Sequence, residues 1–218
     1  FNPRLKGKKA LVTAGPTQEA LDPVRYISNH STGQMGIAIA RELAQNGAAV
    51  DLVLGPSSIP VNIPGVRVIP VITAEEMYEA SAGIFPEADI AVMAAAVSDY
   101  APVTVSSEKI KKDSGALSLE LTRTRDILKT LGERKKAGQL LVGFALENRD
   151  EKTYALGKLE SKHADLIVLN SLNDEGAGFG FDTNQVTLFE KGGAEIRFGR
   201  KPKQEVAADI VDRIIKLL

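Results

Sequence analysis

The stretch DIAVMAA, from Asp89 to Ala95, is apolar at nearly every position. An uninterrupted apolar run of this length is typical of a strand inside a parallel sheet, where both faces of the strand are covered. Other short apolar runs also predict strands, at Lys9–Thr13, Ala49–Leu54, Val66–Val71, Leu140–Phe144 and Asp165–Leu169. Because parallel strands need crossover connections, helices are expected between these runs.

Amphipathic stretches lie between the apolar runs and predict helices at Gly33–Asn46, Ala74–Phe85, Arg125–Lys136, Glu151–His163 and Val206–Leu218. This alternation predicts an α/β fold with a doubly wound, mostly parallel, Rossmann-like sheet. Near the end of the chain, Gln185–Glu190 and Ala194–Phe198 predict a β-hairpin that precedes the last helix, and Leu117–Leu121 is a weaker strand candidate. No linker divides the sequence, so residues 1–218 predict one domain.

Composition excludes several classes of site. The 218 residues contain no cysteine, which rules out disulfides and a cysteine nucleophile, and two histidines are too few for a histidine-rich metal site. A net charge of −1 gives no global field for nucleic acid or an acidic membrane. No apolar run approaches the roughly 20 residues that span a bilayer, so a cytoplasmic protein is expected. The first residue is Phe1, which predicts a piece of a longer polypeptide.

A glycine-rich segment follows the first strand. Gly15 allows backbone N–H groups to approach a phosphate closely, and after an insertion the pattern of Ser31, Gly33 and Gly36 resembles a displaced phosphate-binding entry to a helix. The alternative is a turn with a helix cap supplied by Ser31 or Thr32. The segment lacks the G-x-G-x-x-G spacing that is typical of dinucleotide-binding proteins.

Candidate ligand-binding residues lie within this insertion and at or just after the end of the buried run Asp89–Ala95. Arg25 could bind a phosphate or carboxylate, and Asn29 offers an amide donor to a developing oxyanion; the alternatives are a surface salt bridge and a turn. Ala95 and Ala96 leave room for an extended ligand, with Asp99 at the rim as an acceptor. Close packing of helix on sheet, with Asp99 as a helix cap, is the alternative for this stretch.

Lysines mark a second group of candidates. Tyr100–Gly115 is a polar excursion that predicts a mobile, lysine-rich flap, on which Lys109 would close over a polyphosphate. Lys158 and Lys162 are four residues apart on a predicted helix and therefore share one face. Phe144 ends a strand, where its ring would stack on a base. The alternatives are solvated charges for the lysines and a core position for Phe144.

Longer strings of sequence identify a family. TAGPT at Thr13–Thr17 and LDPVRYISNHSTG-x-MG at Leu21–Gly36 resemble bacterial phosphopantothenate–cysteine ligases, as do AAVSDY at Ala95–Tyr100, EKIKK at Glu108–Lys112, GFA-x-E at Gly143–Glu147, and Asn170. The resemblance implies a step of coenzyme A biosynthesis in which CTP and 4′-phosphopantothenate form an acyl-cytidylate and pyrophosphate. The amine of L-cysteine then displaces CMP. It also implies Mg²⁺ or Mn²⁺ with the nucleotide, a homodimer, and fusion to an FMN-dependent decarboxylase.

The resemblance also implies roles for individual residues. Asn29 and Lys109 would be catalytic, and the phosphopantothenate side would be lined by Arg25, Asn29 and Ala96. The nucleotide would be bound by Gly15, Ser31, Gly33, Gly36, Ala95, Asp99, Lys109, Arg125, Asp126, Ile127, Leu128, Phe144, Lys158 and Lys162. The sequence departs from the family at Arg125, where proline is common. The resemblance names no residue of this sequence as a ligand of the metal.

Two other functions compete with this interpretation. An NAD(P)-binding oxidoreductase would use the same kind of sheet, because fold does not fix function. The missing dinucleotide glycine pattern and the lysine-rich flap argue against it. A non-catalytic nucleotide sensor would bind CTP without turnover and would not need Asn29 or Lys109.

Overall fold

The computed structural model describes residues 3–112, 115–147, 149–171 and 182–218. Eight strands form the main sheet: β1 (Lys9–Ala14), β2 (Ala49–Leu54), β3 (Val66–Pro70), β4 (Ile90–Met93), β5 (Leu140–Glu147), β6 (Leu166–Ser171), β7 (Val186–Glu190) and β8 (Glu195–Arg197). Their spatial order is β8-β7-β6-β5-β4-β1-β2-β3. The first six strands are parallel, and β7 and β8 add an antiparallel edge.

In the part of the chain that the structure describes, five α-helices cover the two faces of this sheet: α1 (Gln34–Gln45), α2 (Ala74–Ile84), α3 (Ile127–Arg134), α4 (Glu151–Ser161) and α5 (Lys203–Leu217). Neighbouring residues of β1 face opposite sides: Val12 packs with Leu43 of α1 and Ile210 of α5, whereas Leu11 packs with Met77 of α2 and Leu131 of α3. The burial of both faces explains why the strands read as continuous apolar runs. The predicted doubly wound, mostly parallel sheet is therefore confirmed.

Short two-stranded ribbons lie outside the main sheet, and the sequence did not predict most of them. Gln18–Ala20 pairs with Tyr26–Ser28, Tyr100–Pro102 pairs with Leu121–Arg123, and Thr183–Asn184 pairs with Lys201–Pro202. The strand expected at Leu117–Leu121 is wrong in its bounds. Residues 117–120 are not in a strand, because pairing with Tyr100–Pro102 begins only at Leu121.

Helix boundaries differ from expectation where side chains bind backbone groups. The helix expected from Arg125 begins at Ile127, because the Asp126 carboxylate accepts the N–H of Lys129 at 2.8 Å and caps the first turn. Asp113 and Ser114 of the expected flap lie outside the described residues, and the mobility of the flap stays a prediction. Among the described helices, none combines the length and the apolar character that crossing a membrane requires.

Candidate functional site

The candidate site lies at the switch point of the sheet, where successive strands are added first on one side of β1 and then on the other. From β1, the chain continues through α1 to β2 on one side, whereas β4 lies on the other side of β1. A crevice forms outside the carboxyl ends of strands at such a point. Here a bridge between Pro16 and Ala96 extends the pairing of β1 with β4, and the Ala96 N–H donates to the Gly15 carbonyl at 2.9 Å. The first glycine turn and the alanine stretch therefore form one rigid edge.

The glycines of the predicted phosphate-binding entry pack against one another. Gly15 and Gly33 both have left-handed backbones, with φ of 80° and 83°. A Cβ on Gly33 would lie 3.2 Å from the backbone of Gly15, and one on Gly36 would lie 2.5 Å from the Ala14 Cβ. The glycines thus bring the start of α1 against the end of β1.

The helix cap expected from Ser31 or Thr32 is wrong, because the cap residue of α1 is Gly33 and it makes no side-chain cap bond. The Ser31 hydroxyl instead accepts the Gly33 N–H at 3.2 Å, and the Thr32 hydroxyl lies 3.5 Å from the Gln34 N–H. Both hydroxyls therefore shape the turn that leads into the helix.

Replacing Gly36 by alanine is expected to lower the free energy of unfolding by about 1–3 kcal/mol, since the new methyl group would push α1 away from β1. Denaturant unfolding would measure the change. Gly157→Ala in α4 is the matched control, because no atom lies within 4 Å of its added Cβ. Equal stabilities of the two variants would contradict the proposed close packing.

Two cavities open at this edge and share a wall. The first, the helix cavity, has a volume of about 350 Å³ and reaches the start of α1. The second, the loop cavity, has a volume of about 450 Å³ and reaches the loop before α3. The residues that line both cavities are Ala95, Val97, Asp99, Phe144 and Lys158.

The structure brings most of the predicted site residues to these two cavities. Asn29, Ser31, Gly33, Gly36 and Ala96 line the helix cavity. Arg125, Asp126, Ile127 and Leu128 line the loop cavity. Gly15 lies directly behind Gly33. The residues named from distant parts of the sequence therefore meet around two adjoining cavities.

Lys158 is the half-buried cation of the shared wall. Its Nζ donates to the Phe144 carbonyl at 2.6 Å. Burial lowers the pKa of Lys158 below its ordinary value, although the carboxylates of Glu147, Asp126 and Asp99 act in the opposite direction. A half-buried ammonium that faces two cavities is suited to offset the charge of a bound anion.

Lys162 lies one turn beyond Lys158 and holds the loop before α3. Its Nζ donates to Asp126 at 2.6 Å. Burial acts to raise the pKa of Asp126, but the bonds from Lys162 and from the Lys129 N–H outweigh it and the pKa is lowered. Arg125 points its guanidinium over the Tyr78 ring, 4.7 Å from the centroid, and pairs with Glu75 at 3.3 Å. The loop before α3 is thus anchored at two consecutive residues, Arg125 and Asp126.

Asn29 and Asp99 present polar groups to the helix cavity. The Asn29 Nδ2 donates to the Ala96 carbonyl at 3.0 Å, which leaves its second N–H for another acceptor. Asp99 is exposed, and its carboxylate forms no salt bridge or hydrogen bond with the described residues. Within the described ranges, no three acidic or histidine side chains cluster closely enough to hold a metal ion.

Arg25 and Lys109 line neither cavity. The Arg25 guanidinium donates to the buried Asp22 carboxylate and to the Ile110 carbonyl, at 2.9 Å and 2.7 Å respectively. This contact with Arg25 lowers the pKa of Asp22. Lys109, beside Ile110, is exposed. The flap is therefore fastened to the loop that carries Arg25, and the proposed ligand contacts of both residues stay predictions.

Sequence reasoning missed several residues that line the helix cavity. Lys203 comes from the start of α5, Asn184 from the ribbon before β7, and Gln34 from α1. Asn184 is buried and its Nδ2 donates to the Asn170 Oδ1 at 3.1 Å. Asn170 belonged to the family strings without an assigned role. Lys203 gave no local signal, because it lies just before the predicted last helix and a lysine there reads as solvated.

Known proteins resemble this chain over nearly its whole length. The family described as "DNA/pantothenate metabolism flavoprotein C-terminal domain" matches residues 5–218. The chain is 47% identical over 98% of its length to the coenzyme A biosynthesis bifunctional protein CoaBC of Bacillus subtilis, of which it covers 52%. It is 51% identical over 98% of its length to a cysteine/cysteine sulfinic acid decarboxylase of an unknown prokaryotic organism, of which it covers 60%.

A solved structure gives the same result for the fold. The crystal structure of the C-terminal domain of a coenzyme A biosynthesis bifunctional protein CoaBC is 39% identical, with a TM-score of 0.84 over 99% of this chain and 97% of the other. The curated relatives are longer than this chain, which spans between half and three fifths of their length.

Proposed function

The chain belongs to the family of DNA/pantothenate metabolism flavoprotein C-terminal domains, and from this membership we propose that it is a CTP-dependent phosphopantothenate–cysteine ligase. It would join 4′-phosphopantothenate to L-cysteine in coenzyme A biosynthesis. The observation that carries the proposal is the shared space: Gly33, Asn29 and Lys158 surround one cavity, although they come from separate parts of the chain.

The first step joins two anions. A carboxylate oxygen of phosphopantothenate attacks the α-phosphorus of CTP, the P–O bond to the β-phosphate breaks, and pyrophosphate leaves. The half-buried Lys158 offsets the charge that accumulates during this attack, because a cation acts more strongly in a site that excludes water. In the loop cavity, the backbone of the Arg125–Leu128 loop holds the phosphates. Lys162 lies outside the lining of both cavities and bonds to Asp126 of this loop, so its contact with the nucleotide stays a prediction.

The second step forms the amide. The cysteine amine attacks the acyl carbon, negative charge develops on the acyl oxygen, and CMP leaves with the electrons of the broken C–O bond. The free N–H of Asn29 donates to that oxygen while its other N–H remains on the Ala96 carbonyl. The substrate supplies the thiol, which agrees with a chain that has no cysteine.

A divalent metal, Mg²⁺ or Mn²⁺, accompanies the nucleotide in this proposal. Mg²⁺ is usually bound by one or two carboxylates together with substrate phosphates rather than by a protein cage. The exposed Asp99 carboxylate in the shared wall fits that requirement. The metal would neutralise phosphate charge during the first step.

The active unit in this proposal is a homodimer. Large apolar side chains are exposed in residues 18–28, in residues 100–123 and in the loop before α2: Val24, Tyr26, Ile72, Tyr100, Val103, Val105, Leu117, Leu119 and Leu121. The Gln18 N–H donates to the Ile72 carbonyl, and the Ser106 N–H donates to the Leu21 carbonyl, so these segments form one surface. An exposed apolar surface of this kind favours contact with a second copy. That contact would bring Arg25 and Lys109 to a cavity of the partner.

Lys109→Gln is expected to slow pyrophosphate release about tenfold, since the flap would lose the charge that contacts the phosphates. Rapid-quench assays of pyrophosphate would measure this step. Lys112→Gln, on the same exposed flap, controls for the loss of one charge. Unchanged pyrophosphate release in Lys109→Gln would exclude the proposed phosphate contact.

In the full-length protein, we propose fusion to an FMN-dependent decarboxylase that consumes the ligation product, and a location in the cytoplasm. The bifunctional relatives and the relative named as a decarboxylase support the fusion. No contact with nucleic acid or membrane is part of the proposal.

The test supplies phosphopantothenate, cysteine and magnesium with each nucleoside triphosphate separately. The expected products are phosphopantothenoylcysteine, pyrophosphate and CMP, with CTP preferred over ATP. CTP binding without turnover would favour a nucleotide sensor. A parallel reaction with NAD(P) in place of the triphosphate tests the other alternative, and its binding without any ligation by CTP would favour an oxidoreductase. Either result would overturn the ligase proposal.

A further inference from the structure

A buried lysine lines the helix cavity and has no part in the function described above. Lys203 is the first residue of α5 and is 6% exposed. Its Nζ donates to the Gln34 Oε1 at 3.4 Å, and the Gln34 Nε2 donates to the Asp182 Oδ1 at 3.1 Å. Gln34 therefore positions the ammonium beside the glycine turn.

This position is unfavourable for a cation. Burial lowers the pKa of Lys203, and the nearby Asp182 opposes that shift only in part. The first turn of a helix also disfavours positive charge, because the helix dipole places its positive end there. Asp182 is exposed, so its own charge is largely screened by water.

The side chains that line the helix cavity indicate a role for the charge of Lys203. The titratable side chains that line the helix cavity are Asp99, Lys158 and Lys203. Lys158 and Asp99 also line the loop cavity, whereas Lys203 does not. The helix cavity therefore carries a cation of its own, close to Ser31 and Gly33, in addition to the cation shared by both cavities.

We propose that Lys203 binds a phosphate group of the ligand held in the helix cavity. The inference rests on the proposed ligase function and extends it to a residue outside the family strings. The phosphate belongs either to the nucleotide or to phosphopantothenate, since both carry phosphate. Gln34 acts as the positioning residue, because it fixes the ammonium through its side-chain oxygen.

A neighbouring groove offers a competing location for the anion. Gln34 and Lys203 also line a groove of about 440 Å³ on the outside of α1, together with Arg41. A phosphate bound there would contact Arg41 as well as Lys203. A phosphate bound in the helix cavity would not, because Arg41 is absent from its lining.

The test measures binding by calorimetry, with CTP, cytidine and phosphopantothenate titrated separately into the complete chain. Lys203→Met is expected to weaken binding of one phosphorylated ligand by about tenfold to a hundredfold, which is the loss typical of a charge-assisted hydrogen bond. Cytidine affinity should stay unchanged. Whichever ligand loses affinity identifies the source of the phosphate. Unchanged affinity for both phosphorylated ligands would overturn the inference.

Controls separate charge from folding and location. Lys203→Arg keeps the charge and should keep most of the affinity, and a thermal unfolding curve would show that Lys203→Met is folded. Arg41→Gln should leave binding unchanged; a loss equal to that of Lys203→Met would place the anion in the outer groove and overturn the inference. A wild-type chain that binds CTP but forms no product would defeat the ligase proposal while the binding result still decides the role of Lys203.

Discussion

Asn29→Asp is expected to form acyl-cytidylate normally and to make amide product at least about a hundredfold more slowly. Removing one oxyanion donor typically costs two to three orders of magnitude. Aspartate has no N–H, and its carboxylate would face the Ala96 carbonyl, where the Asn29 Nδ2 now donates at 3.0 Å. The variant should therefore lose both the donor to the acyl oxygen and the bond that positions it.

Rapid quench would separate the two steps for Asn29→Asp. Pyrophosphate should appear at the wild-type rate while acyl-cytidylate accumulates, because the substitution leaves the proposed phosphate contact of Lys158 unaltered. Asn62→Asp introduces the same charge in the exposed loop after β2 and should behave as wild type. Normal amide formation in Asn29→Asp would remove Asn29 from the second step.

Lys158→Met is expected to slow acyl-cytidylate formation by about a hundredfold, because the cation shared by both cavities is lost. Methionine keeps most of the side-chain volume, so the defect should lie in chemistry rather than in folding. Pyrophosphate release would measure it. Lys152→Gln removes a lysine from the exposed side of the same helix, where it pairs with Glu195, and should have little effect. Equal rates for these two variants would contradict the assignment.

The pH dependence provides an independent test of Lys158. Burial lowers its pKa, so the ammonium loses its proton at a lower pH than an exposed lysine does. The rate of the first step should therefore decline on the alkaline side, below the ordinary lysine pKa of 10.5. Lys158→Arg should move this decline to higher pH, because a guanidinium stays charged. An identical profile for wild type and Lys158→Arg would show that another group controls the decline.

The fold was predictable because burial leaves a local pattern. The runs around Val12, Val92 and Val142 are apolar on both faces, and only strands covered on both sides of a sheet require this. The small ribbons were less predictable. Strands such as Gln18–Ala20 are too short for a periodic signal, and Leu117 and Leu119 read as strand residues although both are exposed.

The candidate site was predictable only in part. Asn29, Gly33 and Phe144 were named from strings of sequence, and the structure places all three on the helix cavity. Arg25, Lys109 and Lys162 were named in the same way, yet they lie outside both cavities of this chain. The single-domain expectation for residues 1–218 and the ligand roles of these residues stay predictions.

The sequence alone determined the helices and the strands of the main sheet, since the pattern of apolar residues follows from which faces are buried. The sequence also determined how closely α1 packs on β1, because glycine at position 36 leaves no Cβ between them. The tertiary structure alone decided which distant residues meet. Strand order and the direction of each crossover bring Lys203 of α5 beside Gln34 of α1. These two residues are far apart in the sequence, so no local pattern predicts their contact. Burial of a charged side chain likewise depends on what packs around it.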